Sequence, residues 1–277
     1  MTIAVVTVVH GRHEHLRNQL RGLALSARTP DMHIVVALDD RAVGTVVAAQ
    51  RSSATVLHLG AGRPLPLARA RNVGATAALR AGATLLIFLD VDCIPGRNLV
   101  DRYVGAAGKS EHANALLCGP VTYLDEPTAG GYDITQLESA IRPHPDRPAP
   151  PDGRIVPTRD YDLFWSLSFA VPAQTWDAIG GFCEQYLGYG GEDTDFARCA
   201  RSCGIPMRWV GGAHAFHQHH PVHDPPIEHL DDILRNAGTF HRRWGSWPMN
   251  GWLTAFETLG LIRRESDGTP IRTPPSM

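Results

Sequence analysis

The sequence has few cysteines and no arrangement of them that would staple or ligate anything. Cys93, Cys118, Cys183, Cys199 and Cys203 are odd in number and contain no C-x-x-C pair. That argues against a disulfide framework and a thiolate zinc site, and it fits a reducing compartment. Net charge is nearly absent as well: 26 basic and 28 acidic residues leave −2, which gives no bulk attraction for nucleic acid. No apolar stretch approaches the roughly 18 residues of a membrane-spanning helix. Ile3–Val9 follows no basic leader and precedes no small-residue cleavage site, so it reads as a first strand and not as a signal peptide. The expected location is cytoplasmic, with at most peripheral contact to a membrane. There is no internal repeat, no P-loop and no H-E-x-x-H, which weighs against nucleotidyltransferases with basic phosphate loops and against zinc hydrolases.

What is present is material for one buried core: 43% of the 277 residues are hydrophobic and 19% charged. Ile3–Val9, His33–Leu38 and Thr84–Leu89 are continuous Val/Ile/Leu runs, as parallel strands covered on both faces should be. Helix-like stretches at 13–26, 42–51 and 67–81 separate them and imply right-handed βαβ crossovers, hence a Rossmann-like, mainly parallel α/β sheet flanked by helices. Later strands are expected at 115–123, 163–171 and 207–216. Helices are expected at 172–179 and 192–203, the second closed by Gly204. Between residues 125 and 160 seven prolines forbid regular structure over most of the segment, which suits an acceptor-facing flap or disorder. The division is a nucleotide-binding half at 1–123, a Pro-rich loop at 124–160, an acceptor and catalytic half at 161–266, and a fraying tail at 267–277.

Ligands of such sheets bind beyond the carboxyl ends of the strands. There the run Leu85–Leu89 emerges into Asp90-Val91-Asp92. Strand alternation would point both carboxylates one way, where two hard oxygen ligands suit Mn²⁺ or Mg²⁺ bridging to a diphosphate; the bland alternative is an Asp-capped turn. In Gly188-Tyr189-Gly190-Gly191-Glu192-Asp193-Thr194-Asp195 the glycines allow close approach and a carboxylate could accept a hydroxyl proton, although acids in a first helical turn also stabilise the helix dipole. Asp195 suits a structural ion pair as well as any catalytic task. His214, His217, His219 and His220 lie within seven residues, dense enough for one imidazole to complete a metal site.

The order and spacing of these motifs resemble the GT-A glycosyltransferases, particularly family 2 and the galactosyl- and N-acetylgalactosaminyltransferases. The resemblance runs through Thr7–Arg12, Leu67–Gly74, Asp90–Asp92, Phe169–Pro172, Ile179–Phe182 and Gly190–Asp193. It implies a single GT-A domain using a UDP-sugar donor, Mn²⁺ or Mg²⁺, and a sugar, lipid-linked or small-molecule acceptor. By the same resemblance Val9, His10 and Arg12 lie beneath the nucleoside and Asp39, or Asp40 in its place, reads the base. Arg69 and Arg71 face the diphosphate or donor sugar, or else pair with surface acids, while Asn72 ties backbone. Asp90 and Val91 touch ribose or metal, and Asp92 ligates the metal with His217 first and His219 second. Tyr189 and Gly191 line the sugar cleft, Glu192 holds donor hydroxyls, and Asp193 is the base of an inverting reaction. A metal-dependent hydrolase and a non-catalytic sugar-nucleotide-binding module are the alternatives. Trp165, Trp244, Trp247 and Trp252 could stack on sugars, packing being the commoner use of tryptophan.

Overall fold

Ile3–Val9 forms β1, buried along its length except for the partly covered Val8, as a strand with layers on both faces must be. The structure, a computed structural model, describes residues 1–274. After β1 the chain alternates through α1 (His13–Ala24), β2 (Met32–Leu38), α2 (Ala42–Ala49), β3 (Thr55–Leu59), α3 (Leu67–Arg80) and β4 (Leu85–Leu89). β1 lies parallel between β2 and β4, and β3 extends the sheet beyond β2. α3 sits close on this sheet because residue 74 is glycine: a Cβ there would meet Val6 Cγ1 at 2.5 Å.

The second half adds β5 (Cys93–Pro95), α4 (Leu99–Ala107), β6 (Leu116–Cys118), β7 (Val121–Tyr123), β8 (Ile155–Thr158), β9 (Ser168–Pro172), α5 (Ala173–Ile179), α6 (Glu192–Ser202), β10 (Met207–Val210) and β11 (Ala215–His217). It ends with α7 (Leu230–Trp244), α8 (Asn250–Thr258), β12 (Ile262–Arg264) and β13 (Pro270–Arg272). The main sheet has the order β3-β2-β1-β4-β9-β6-β10-β8, with β9 antiparallel to both neighbours and β8 antiparallel to β10. A smaller sheet, β5-β11-β7, stands beside it. One face of the main sheet carries an aromatic core in which Phe88 stacks on Phe169 at 4.6 Å and Phe182 on Phe196 at 4.4 Å. On the other, α4 packs Leu99, Val100 and Tyr103 against Leu85, Ile87 and Leu117. Among the described residues no helix is long and apolar enough to cross a membrane.

The α/β reading holds, with differences in detail. The runs at 115–123 and 207–216 each break into two strands, the first (β6, β10) in the main sheet and the second (β7, β11) in the small one. Both bend at glycines: Gly212 has φ +84°, and a Cβ on Gly119 would collide with the Ala213 carbonyl oxygen. The strand expected at 163–171 begins only at Ser168. The Pro-rich loop is not wholly irregular, since β8 pairs with β10. The tail expected to fray contains β13, which pairs with β12; residues 275–277 lie outside the described residues. Gly204, with φ +70°, closes α6 as expected.

Candidate active site

β4 delivers Asp90-Val91-Asp92 to the carboxyl edge of the sheet, where the Cys93 amide donates to the Asp90 carbonyl at 2.8 Å and the chain turns into β5. Because this is a turn and not a strand, the two carboxylates part, against the alternation read from sequence. Asp90 accepts from Arg71 Nη2 at 3.1 Å. Asp92 instead faces Arg12 at 3.6 Å, His15 at 3.8 Å and His220 at 3.6 Å. Ligand atoms of Asp92, His217 and His220 all lie within 4.8 Å of one another, a group able to hold a metal ion. Asp92 Oδ1, the oxygen that faces Arg12 and His15, is buried without a hydrogen-bond partner, while Oδ2 faces His220. Burial lowers His217 to about 4, which keeps its imidazole in the neutral, ligating form.

The group differs in two members from the expected set: Asp90 lies outside it, and His220 stands in it where His219 was expected. The His219 amide donates to the Tyr132 hydroxyl, its carbonyl accepts from His15 Nε2, and its side chain is exposed. Gln218 causes the turn-out. Its amide donates to the Asp92 carbonyl at 2.7 Å, its buried side chain donates to the His15 and Val91 carbonyls, and Asn18 donates back to it. Gln19 performs the same service on the other flank, donating to the carbonyls of Asp90 at 2.7 Å and Cys93 at 3.0 Å while accepting from Thr7. Sequence reasoning missed these residues. The available signal was a pair of amides, Asn18 and Gln19, set among Leu16, Leu20 and Leu23 on the buried side of α1.

The second group of acids sits where Gly190 and Gly191, at φ +91° and +90°, turn the chain into α6. Left-handed backbone at both positions favours glycine. Glu192 accepts from Arg71 Nη1 at 3.1 Å, so one buried guanidinium, stacked over Phe182 at 5.2 Å, holds Asp90 with one nitrogen and Glu192 with another. Arg69, two positions earlier and so on a different helix face, is exposed. Asn72 ties backbone as expected, bonding both the N–H and the carbonyl of Phe182 at 2.9 Å. Asp193 accepts from the Thr194 amide at 2.7 Å. Burial, and then the charge of Glu192, push its carboxyl up to about 7.

A family model described as the N-terminal domain of galactosyltransferase matches residues 155–221, the stretch holding β8 through His217 and His220. The structure aligns over 92% of its length with 76% of S. aureus TarS 1-349 in complex with UDP-GlcNAc, at TM-score 0.58 and 14% identity. The chain has the GT-A glycosyltransferase fold. It also aligns with GalNAc-T7 solved with UDP, GalNAc and Mn²⁺, at TM-score 0.55 and 16% identity over 79% of this chain and 44% of that one. In sequence it is 30% identical over 227 residues to a validoxylamine A glucosyltransferase of Streptomyces hygroscopicus subsp. limoneus, covering 74% of this chain and 49% of the relative. A second, from subsp. jinggangensis, is 32% identical over 159 residues, 51% of this chain and 36% of the relative. The chain thus spans about half, or less, of the length of these curated relatives.

Within the GT-A sheet the residues expected at the nucleoside collect after β1 and β2. His10 donates from Nδ1 to the Leu38 carbonyl at 2.7 Å and accepts from Arg63 at 3.0 Å. The exposed Asp39 accepts from the Gly62 amide at 2.7 Å and the Ala61 amide at 3.1 Å, which hold its carboxyl below its ordinary value. Asp40 is occupied elsewhere, by Gly11, His13 and Ala42. Val9 is buried, and Arg12 reaches toward Asp92. Tyr189, partly exposed, stacks on His229 at 4.4 Å and lies 5.7 Å from Trp252. The remaining tryptophans pack: Trp244 donates to Asp195 and Trp247 stacks on His241 at 4.1 Å.

Asp195 has the structural role. It is fully buried and accepts from Arg243 Nε at 2.7 Å, Trp244 Nε1 at 2.7 Å and the Tyr186 hydroxyl at 3.1 Å. Its salt-bridge partner is thus Arg243 from α7, whereas Arg198 packs over Phe240. Asp195→Ala is expected to cost about 3 kcal/mol, since it removes the buried acceptor shared by the buried Tyr186 hydroxyl, the half-buried Trp244 indole and the Arg243 guanidinium. Urea unfolding checks this, and a loss below about 1 kcal/mol would refute the bracing role.

Proposed function

We propose that the chain transfers a sugar from a nucleotide-sugar donor, a UDP-sugar, to an acceptor hydroxyl with inversion at the anomeric carbon. The observation that carries this reading is the Arg71 guanidinium. It joins Asp90, at the turn that presents Asp92, to Glu192, beside Asp193, so an anion-neutralising centre and a proton acceptor flank one rigid side chain. The GT-A fold, the glucosyltransferase relatives and the neighbours solved with UDP-sugar or UDP and Mn²⁺ support it.

Asp92, His217 and His220 would hold the metal ion, and a carboxylate whose buried Oδ1 lacks a hydrogen-bond partner, together with neutral imidazole, suits Mn²⁺ better than Mg²⁺. When bound, such an ion neutralises the charge that develops on the leaving diphosphate. His10, Arg12 and Asp39 would seat the nucleoside, with Val9 beneath it. Glu192 Oε2, buried and unpartnered, would accept from a donor-sugar hydroxyl. Asp193 would take the acceptor proton as the new C–O bond forms and the bond to the diphosphate breaks, and Tyr189 would line the acceptor side. Residues 1–123 would then seat the nucleotide, while 161–266 would supply the proton acceptor together with the donor-sugar contact of Glu192 and the two histidines.

A thermal-shift series of UDP-sugars with and without Mn²⁺ tests the donor half. A donor at a hundred times its Kd should stabilise the protein by about 2.7 kcal/mol, and only with the metal present. Absence of a metal-dependent shift with every UDP-sugar would overturn it.

A further inference from the structure

The Pro-rich segment between β7 and β8 carries an arginine into the protein interior. Arg147 is 4% exposed, and its Nε, Nη1 and Nη2 are all buried without a hydrogen-bond partner. The guanidinium is sandwiched between two indoles, 5.0 Å from the ring centroid of Trp165 and 4.8 Å from that of Trp209. The indole N–H of Trp209 is a fourth buried donor without an acceptor. Around the guanidinium stand Cys93, Cys118, Tyr103 and Tyr123, groups that are neutral near pH 7. Burial pushes the Arg147 guanidinium below its ordinary value and the Cys118 thiol up to about 12, so the thiol supplies no counter-charge.

Indole faces favour a cation but accept nothing from the N–H edge of the guanidinium. Arginine does not shed its proton in proteins, so a buried, unpaired guanidinium costs several kcal/mol until something accepts from that edge. An uncharged ligand could serve the hydrogen bonds but not the charge. The fork of Nε and Nη donors matches two oxygens of a carboxylate or phosphate.

An approach exists. A cleft of about 480 Å³ is lined by Tyr123, Asp125, Glu126, Arg142, His144 and His219 among others, with Arg142 paired to Asp125 at 3.2 Å. His144 meets Trp165 edge-on at 5.1 Å and Tyr123 at 5.5 Å, and Tyr123 in turn stacks on His217 at 4.5 Å. Trp165 thus stands between the guanidinium and His144, which lines the cleft, and Tyr123 of the same lining connects it to His217 of the candidate metal cluster. We propose that Arg147 is a binding site for an oxyanion, a carboxylate or phosphate group, that enters from this cleft past Trp165 and His144. The site supplies an anchor for an anionic substituent carried by a substrate, or for free phosphate, next to the place where the transfer would occur.

The test uses the full chain without metal or sugar nucleotide, so its failure leaves the transferase reading untouched. Inorganic phosphate, acetate, glucose 1-phosphate and glucose are titrated at constant ionic strength, with tryptophan fluorescence and melting temperature as readouts. Wild type should show a saturable response to the three anions and none to glucose. Arg147→Met, of similar length but uncharged, should weaken that response at least tenfold and melt no lower than wild type in anion-free buffer; Arg147→Lys should keep a weaker response. Glucose 1-phosphate binding at least tenfold tighter than phosphate marks the anion as substrate-borne, and equal binding marks it as free. No saturable response in wild type overturns the proposal, whichever variants fold. So does an equal response in Arg147→Met, or a lower melting temperature in that variant with no anion dependence, which would make Arg147 a packing cation.

Discussion

Asp193→Asn is expected to lower the rate of sugar transfer by about 10²–10⁴-fold, the usual worth of a positioned general base, while donor affinity stays within about twofold. The substitution keeps the shape of the side chain and its bond to the Thr194 amide but removes the site for a proton. Because burial and Glu192 push the wild-type carboxyl up to about 7, its ionised fraction, and with it kcat/KM, should rise as pH increases through that value. Below it the carboxyl already carries a proton and cannot accept another. The asparagine variant should show no such limb. Rapid-quench transfer rates and calorimetric donor binding across pH 5.5–8.5 check both statements, and an unchanged rate would remove Asp193 from the mechanism.

Asp92→Ala should be at least as damaging, by a different route. Asp92 is the only carboxylate in the cluster with His217 and His220, and Arg12 and His15 stand within 3.8 Å of it. Without its charge, two imidazoles beside a guanidinium face a divalent cation with nothing to offset its repulsion from Arg12. Replacing partners that merely orient ligands costs about 10–100-fold in metal affinity. Loss of the sole anionic ligand should exceed about 100-fold and abolish transfer at sub-millimolar Mn²⁺. Titration of free Mn²⁺ by electron paramagnetic resonance reads this without turnover. Undiminished affinity would move the metal site away from the turn after β4.

The strands at the centre of the sheet could be read directly, since Ile3–Val9, His33–Leu38 and Leu85–Leu89 are covered on both faces and so cannot alternate. β3 escaped because it is an edge strand whose residues, Thr55–Leu59, are only partly covered and give no such run. The candidate site was legible in its residue types more than in its geometry. Strand alternation would point Asp90 and Asp92 one way, but β4 ends at Leu89 and both acids lie in the turn that follows, where alternation no longer applies. What sets that turn is buried amide chemistry from Gln19 and Gln218, residues 71 and 127 positions from the carbonyls they hold. Arg71 was legible as a site residue but not in its task, because the two acids it joins lie 19 and 121 positions away.

The loop that enters α6 is held from far along the chain. Asn236 on α7 donates to the carbonyls of Leu187, Tyr189 and Gly190, and Asp232 accepts from the Tyr189 amide, 43 positions back. Chains emerge from the ribosome from their first residue onward, at about 5–20 residues per second. The strands that build the main sheet are therefore all made seconds before the residues that fasten Tyr189 through Asp193. During synthesis β1 through β4 are complete while the loop carrying Tyr189 through Asp193 still lacks the residues that fasten it, and on the proposed function competence to bind the donor would precede competence to react.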